Sequence, residues 1–283
     1  VIDGELAHVT AVGVQDLDSR RPVTPDSVFR IASMTKSFTA MAILKLRDAG
    51  KLSLEDPAER YVPELRGLSY PTTDSPRLTI RHLLSHSEGF PEDNPWGDRQ
   101  LARSDAWMSE AMRAGIPFST VPGTAYEYSN YGFAILGRIV QQVSGADYAV
   151  YVTREILGPL GMTSSYFEGA EVPAAVRTQG YRRQGDGHAP ETPLGHGSFG
   201  AMGGLWTSTR DLAKYVAFLS SAFPPRDGEE TGPISRASAR EMQQLARHDP
   251  TRAFRATLDA PLQLAAGGYA FGLRVSEDCD LGV

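Results

Sequence analysis

A single cysteine, Cys279, leaves this 283-residue chain unable to form an internal disulfide framework or a multi-cysteine zinc site. As a lone thiol near the end of the chain it reads as incidental, and it says nothing about redox compartment. No run of apolar residues approaches the roughly 18–20 that a membrane-spanning helix needs. Basic residues form no long block, and the formal net charge is -6, so neither nucleic acid nor an anionic membrane surface is expected as the main partner. Internal repeats and low-complexity tracts are also missing. What remains, 41% apolar and 22% charged residues, is ordinary for a soluble globular protein with a sizeable core.

Residues 5–14 alternate in the manner of a strand after the Asp3-Gly4 turn signal. Apolar residues Phe38, Met41, Ala42 and Leu46 recur at helical spacing, predicting a helix from about Ser33 to Ala49 that stops at Gly50. A short helix is expected from Leu54, ended by Pro63. Another, holding Ile80, Leu83 and Leu84, is expected after Thr79 as N-cap. Further helices are predicted over 100–113, 131–143, 147–157 and 209–219, with loops at 90–98 and 180–200 and a late strand over Ala270–Val275. Helices dominate the middle and strands the ends. That order predicts an α+β fold: a helical region, about 55–200, inserted into an antiparallel sheet built from both termini.

The chemistry begins at Ala32-Ser33-Met34-Thr35-Lys36, at the head of an apolar helix. Residues i and i+3 share a helix face, so the Lys36 amine can lie beside the Ser33 hydroxyl. In the first helical turn, free backbone N–H groups and the positive dipole end favour a developing oxyanion. The same field, with desolvation, lowers the pKa of Lys36 and prepares a neutral amine to accept the serine proton. Taken alone, S-x-x-K is a loose pattern. Tyr128-Ser129-Asn130, 95 residues later and just ahead of the apolar helix at 131–143, supplies its context.

With these two motifs the chain resembles the serine β-lactamase and DD-peptidase superfamily, and within it the class C β-lactamase, D-alanyl-D-alanine carboxypeptidase and esterase family. The resemblance runs through Phe29–Lys36, Leu78–His86, Pro122-Gly123-Thr124, Tyr128–Gly132, Pro159–Met162 and Gly203-Gly204-Leu205. It implies a β-lactamase/transpeptidase-like fold and one catalytic domain over 1–283. It makes Ser33 the acylated nucleophile, with its backbone N–H as half of the oxyanion hole. Lys36 and Tyr128 share general acid/base work, and Asn130 binds substrate. No metal or organic cofactor is implied. The implied substrate is a small ester, a D-amino-acid peptide or a β-lactam, with ester or D-peptide favoured over a dedicated β-lactamase.

A catalytically silent sensor or scaffold is the alternative. It draws on one departure: the family's third motif, K-T-G or H-x-G, does not occur before Val283. The chain also begins at Val1, short of the family's usual opening helix. The resemblance therefore implies a domain with pieces outside both ends, and weak activity if the motif-bearing strand is missing. With 24 arginines against 4 lysines, a GC-rich and bacterial source is expected, and the family's habits point to export to the cell envelope or secretion.

Other patterns have plainer readings. Gly195–Gly200 matches G-x-G-x-x-G but follows a proline-rich loop and not a strand, so it is read as a flexible loop near the site mouth. His82 and His86, four apart, lack a third ligand and are read as packed or capping residues. Glu88, Glu92, Asp93 and Asp98 lack EF-hand spacing and are read as a solvated acidic loop. Trp96, Tyr126, Tyr131 and Phe199 are read as core aromatics, with the loops at 90–98 and 195–206 as possible walls of a substrate groove.

Overall fold

Helix α1 (Thr35–Asp48) is buried on nearly every side, from Thr35 through Leu44 and again at Leu46, so it needs cover all round. This is seen in a computed structural model, which describes residues 1–2, 4–248, 252–255, 257, 259 and 263–277. Cys279 lies outside the described residues.

The cover comes mainly from helices: α2 (Ile80–Leu84), α3 (Trp96–Arg99), α4 (Asp105–Arg113), α5 (Asn130–Ser144), α6 (Tyr148–Val152, continued by a π turn over Thr153–Leu157), α7 (Gly200–Gly203), α8 (Thr209–Ser220) and α9 (Arg236–Met242). Phe38, Met41 and Leu44 of α1 join Leu83, Phe133 and Leu136 in one hydrophobic cluster. The Phe38 ring lies 4.6 Å from that of Tyr215 on α8. Thr79 caps α2 as expected, and Gly145, at φ 71°, ends α5 in the left-handed conformation that glycine adopts without a Cβ penalty.

Among the described residues, three sets of antiparallel strands complete the α+β architecture. Strand β1 (Val28–Arg30) pairs with β4 (Trp206–Ser208) in the register Val28–Ser208, Phe29–Thr207, Arg30–Trp206. Strands β2 (Tyr181–Gln184) and β3 (Gly187–Pro190) form a hairpin where the sequence indicated only loop. Near the C-terminus β7 (Gln263–Tyr269) pairs with β5 (Arg247–His248), β6 (Arg252–Phe254) and β8 (Arg274–Glu277).

Several boundaries move. Residues 6–12 form no strand and pair with no described strand, so the terminal sheet is not shared between the two ends among the described residues. Alternation alone does not make a strand: Val12 is 83% exposed and has no surface to cover. Of the late strand expected over 270–275, residues 270–273 form a turn between β7 and β8, with Gly272 at φ 70°, and Arg274 and Val275 open β8. Ser33 lies in a separate 3₁₀ turn, Ala32–Met34, ahead of α1. Pro63 opens a 3₁₀ turn (Pro63–Gly67) in place of ending a helix, because its missing N–H costs nothing in a first turn. The helix expected from residue 100 begins at Asp105, where Ser104 accepts the Trp107 N–H.

Because α1 is enclosed, its apolar side chains carry much of the stability. Phe38→Ala is expected to cost about 3–5 kcal/mol, read as a lowered urea midpoint with an unchanged slope.

Candidate active site

The turn bearing Ser33 is pinned from both sides. Ile31 N–H donates to Leu205 O (2.9 Å) and Arg30 Nε–H to Gly203 O (3.1 Å), next to the β1–β4 pairing. Thr35 Oγ1 donates to Ala32 O (2.7 Å) and accepts from Leu205 N–H (3.1 Å). Between them Ala32 takes φ 47°, a left-handed conformation costly for a residue with a Cβ, and the turn held on both flanks maintains it.

Tyr128 and Asn130 arrive at the head of α5. Ser129 caps this helix by accepting the Gly132 N–H at 3.2 Å. The Asp93 carboxylate accepts the N–H groups of Asn130 and Tyr131, each at 2.8 Å, placing negative charge at the positive end of the helix. The Asn130 amide is held in turn by Asn94, whose Oδ1 accepts from Nδ2 at 2.6 Å.

All four residues singled out from the sequence meet. Tyr128 Oη donates to Ser33 Oγ at 2.6 Å, and Lys36 Nζ lies 3.1 Å from the same oxygen. Lys36 Nζ also donates to Asn130 Oδ1 (2.7 Å) and to the main-chain oxygen of Met202 (2.8 Å). It stands over the rings of Tyr128 and Phe133, 4.8 and 5.6 Å from their centroids. Lys36 is wholly buried, and desolvation lowers its pKa to about 7 against the smaller opposing pull of Asp93 and Asp98. Burial raises the Tyr128 phenol to about 12, with the Ser33 contact opposing, so at neutral pH it keeps its proton.

These partners suit the amine in either charge state: an ammonium donates to all three oxygens, Ser33 Oγ included, and a neutral amine to two of them. An –NH₂ group has two donors and one lone pair, and Asn130 Oδ1 and Met202 O can only accept. Both N–H groups are then committed, and the lone pair is left for the Ser33 hydroxyl. The Ser33 oxygen meanwhile accepts from Tyr128. The arrangement can take a proton from a serine and return one through a phenol.

Ser33 opens on a cleft of about 360 Å³ walled by Met34, Tyr126, Tyr128, Tyr269 and Leu273. A second cleft, of about 560 Å³, reaches Ala32 from the side of Phe29, Asp98, Leu194 and Trp206. Three contributors escaped the sequence reading. Asp93, read as part of a solvated loop, clamps the head of α5. Met202 contributes a main-chain atom. Gly97 faces Asn130 so closely that a Cβ there would stand 2.6 Å from the asparagine Cβ. The only available signal was the proximity of 93–97 to the expected groove.

The remaining patterns resolve structurally. His82 completes a capping box with Thr79, whereas His86 turns away and its Nδ1 accepts the Ser129 N–H at 3.1 Å. Glu88 is fully buried and not solvated, and burial raises its pKa well above the usual carboxyl range. The Gly195–Gly200 segment is packed against backbone: a Cβ on Gly197 would meet Ala102 C at 2.6 Å. Tyr131 and Phe199 are buried with ring centroids 5.3 Å apart, while Trp96 is 43% exposed.

Gly97→Ala should push Asn130 off Lys36. The expected result is a fall of roughly tenfold or more in the acylation rate of Ser33 by a fluorophosphonate, with the thermal midpoint shifted by only a few degrees.

A family model described as Beta-lactamase matches residues 1–278. "Protein flp" of Staphylococcus aureus (strain COL) is 32% identical over 220 residues, 77% of this chain and 44% of its own length. "Beta-lactamase-like protein 2" of Dictyostelium discoideum is 36% identical over 218 residues, 75% of this chain and 39% of its own. The chain thus spans less than half the length of these relatives. The octameric penicillin-binding protein homologue from Pyrococcus abyssi superposes with a TM-score of 0.78 at 30% identity, covering 96% of this chain and 58% of that one. EstCE1, a hydrolase with promiscuous acyltransferase activity, shares the fold at a TM-score of 0.72 and 21% identity over 97% of this chain and 76% of its own. The chain therefore belongs to the beta-lactamase family and has the fold of its serine hydrolases.

Proposed function

We propose that residues 1–283 act as one catalytic unit, a serine hydrolase or acyltransferase working through an acyl-enzyme on Ser33. Ser33 Oγ attacks the carbonyl carbon of an ester or amide while its proton passes to the Lys36 lone pair. The Ser33 backbone N–H faces the developing oxyanion. As the tetrahedral intermediate collapses, the bond to the leaving group breaks, and that group takes a proton through Tyr128, which is resupplied from Lys36. Asn130 holds Lys36 through its side-chain oxygen, and of its two amide N–H groups the one not given to Asn94 is offered to the substrate. Water or an amine then attacks the acyl carbon and frees the serine. An ester or a D-amino-acid peptide is the favoured substrate class over a β-lactam.

The observation that carries this reading is the committed amine of Lys36. Once Lys36 is deprotonated, its two acceptor-only partners take both N–H groups and leave the lone pair for Ser33, 3.1 Å away. The likeness to a penicillin-binding protein homologue at 30% identity supports the acyl-transfer chemistry.

The experiment is intact-protein mass spectrometry after exposure to a fluorophosphonate and, separately, a penicillin. One adduct per chain is expected, absent from Ser33→Ala. An absence of adducts from the intact chain would sink the reading and favour a silent ligand-binding member of the family. A lasting penicillin adduct would indicate slow deacylation, and a transient one turnover.

The pH dependence follows from Lys36. Protonated, it has no lone pair, so acylation is expected to fall as pH drops and to be half-maximal near about 7. Lys36→Ala should slow acylation by roughly 100-fold or more and remove that inflection, as read by stopped-flow with p-nitrophenyl acetate.

A further inference from the structure

His86 takes no part in the chemistry just described, yet it is fully buried and held at φ 51°, in the left-handed region. A histidine kept there pays a steric cost that its surroundings must offset. Its contacts converge on one neighbour. The carbonyl of His86 accepts the Glu127 N–H at 2.9 Å, and its Nδ1 accepts the Ser129 N–H at 3.1 Å. Both residues that flank Tyr128 are thus tied to His86. The imidazole itself lies against the phenol ring, with centroids 4.5 Å apart and planes at 42°. Phe133 and Tyr269 hold the imidazole in place, at 4.9 and 4.5 Å.

We propose that His86 is the positioning residue for Tyr128, holding the main chain on both sides of the tyrosine and setting the tilt of its ring so that Oη meets Ser33 Oγ. The inference rests on the acyl-enzyme reading of Ser33 and names what orients its phenol.

An Nδ1 that accepts an N–H carries no proton, so the imidazole is neutral with its hydrogen on Nε2. Burial, with Lys36 adding to it when that amine is protonated, holds His86 well below the usual histidine range. The Glu88 carboxyl stands 3.9 Å from Nδ1, beyond hydrogen-bond distance, and burial raises its pKa well above the usual carboxyl range, favouring the neutral form. The Tyr128 segment is therefore held by neutral groups that add no charge beside the amine of Lys36.

The test uses the intact chain and two esters of one acyl group, p-nitrophenyl butyrate and ethyl butyrate. Nitrophenolate leaves without a proton, whereas ethoxide needs one, so loss of Tyr128 function shows selectively on the ethyl ester. Tyr128→Phe should slow the ethyl ester roughly 100-fold and the nitrophenyl ester less than about tenfold. His86→Phe keeps a ring but loses the acceptor, and should reproduce this pattern at about tenfold or more in kcat, with KM unchanged. Added to Tyr128→Phe it should cost nothing further, because both act through one phenol. His86→Asn places an amide oxygen where Nδ1 stands and tolerates the left-handed backbone, so it should recover most of the loss.

Equal losses on both esters, multiplied losses in the double variant, or wild-type kinetics in His86→Phe would each overturn the proposal. If His86→Phe does not fold, His86→Gly, which lacks the ring and the acceptor but suits the left-handed backbone, decides: a loss confined to the ethyl ester supports positioning, and any other result refutes it. A leaving-group pattern in Tyr128→Phe without one in the His86 variants removes only this inference. Tyr128→Phe with no effect on either ester removes both it and the role assigned to Tyr128, whereas Ser33 is judged separately by its adduct.

Discussion

A lysine amine enclosed in the protein is the constraint around which this molecule is arranged. Lys36 is 0% exposed, and an ammonium without water is costly unless oxygen atoms replace the solvent. Here the replacement is partial: two carbonyl oxygens and one hydroxyl within hydrogen-bond distance, and two aromatic faces. That environment is polar enough to hold an amine yet too poor in fixed charge to hold a cation firmly at neutral pH. The site's basicity is thus a property of how the lysine is surrounded, and not of the lysine alone.

Two tethers determine those surroundings. One runs from the Asp93 carboxylate through the head of α5 to the Asn130 side chain. The other runs from the β1–β4 ladder through the 203–205 segment, which pins the Ser33 turn and follows directly on Met202. Each supplies one acceptor. Tyr128 is the third approach, and His86 braces it from behind.

The spacing of Ser33 and Lys36 was legible because a helix face has a fixed period, and the caps at Thr79 and Gly145 because residue type and backbone conformation are coupled there. Tyr128 and Asn130 were legible as a motif ahead of an apolar helix. Other contributors left no such mark. Met202 acts through its main chain, so its side-chain identity is silent. Asp93 and Glu88 share one acidic stretch, yet one clamps a helix and the other is buried, a difference set by what packs over them. Residues 5–14 have the alternation of a strand, but 6–12 have no described partner strand, which local pattern cannot supply. The turn at 270–273 was hidden by its apolar residues, which resemble a strand until Gly272 reverses the chain.

The acceptors of Lys36 lie 94 and 166 residues further along the chain, and strand β1 pairs with residues 176–180 positions away. Loops of that length must close before any of these contacts can form, and closure is an entropic cost met early in folding and recovered late. Ser33 and Lys36, by contrast, are only three residues apart, in the 3₁₀ turn and at the head of α1, and need no long loop to meet. A nascent chain that has reached only Asn130 therefore carries the pair with a solvated, cationic lysine. The basic form of the amine emerges only when the chain returns to deliver Met202, so chemical competence and completion of the fold coincide.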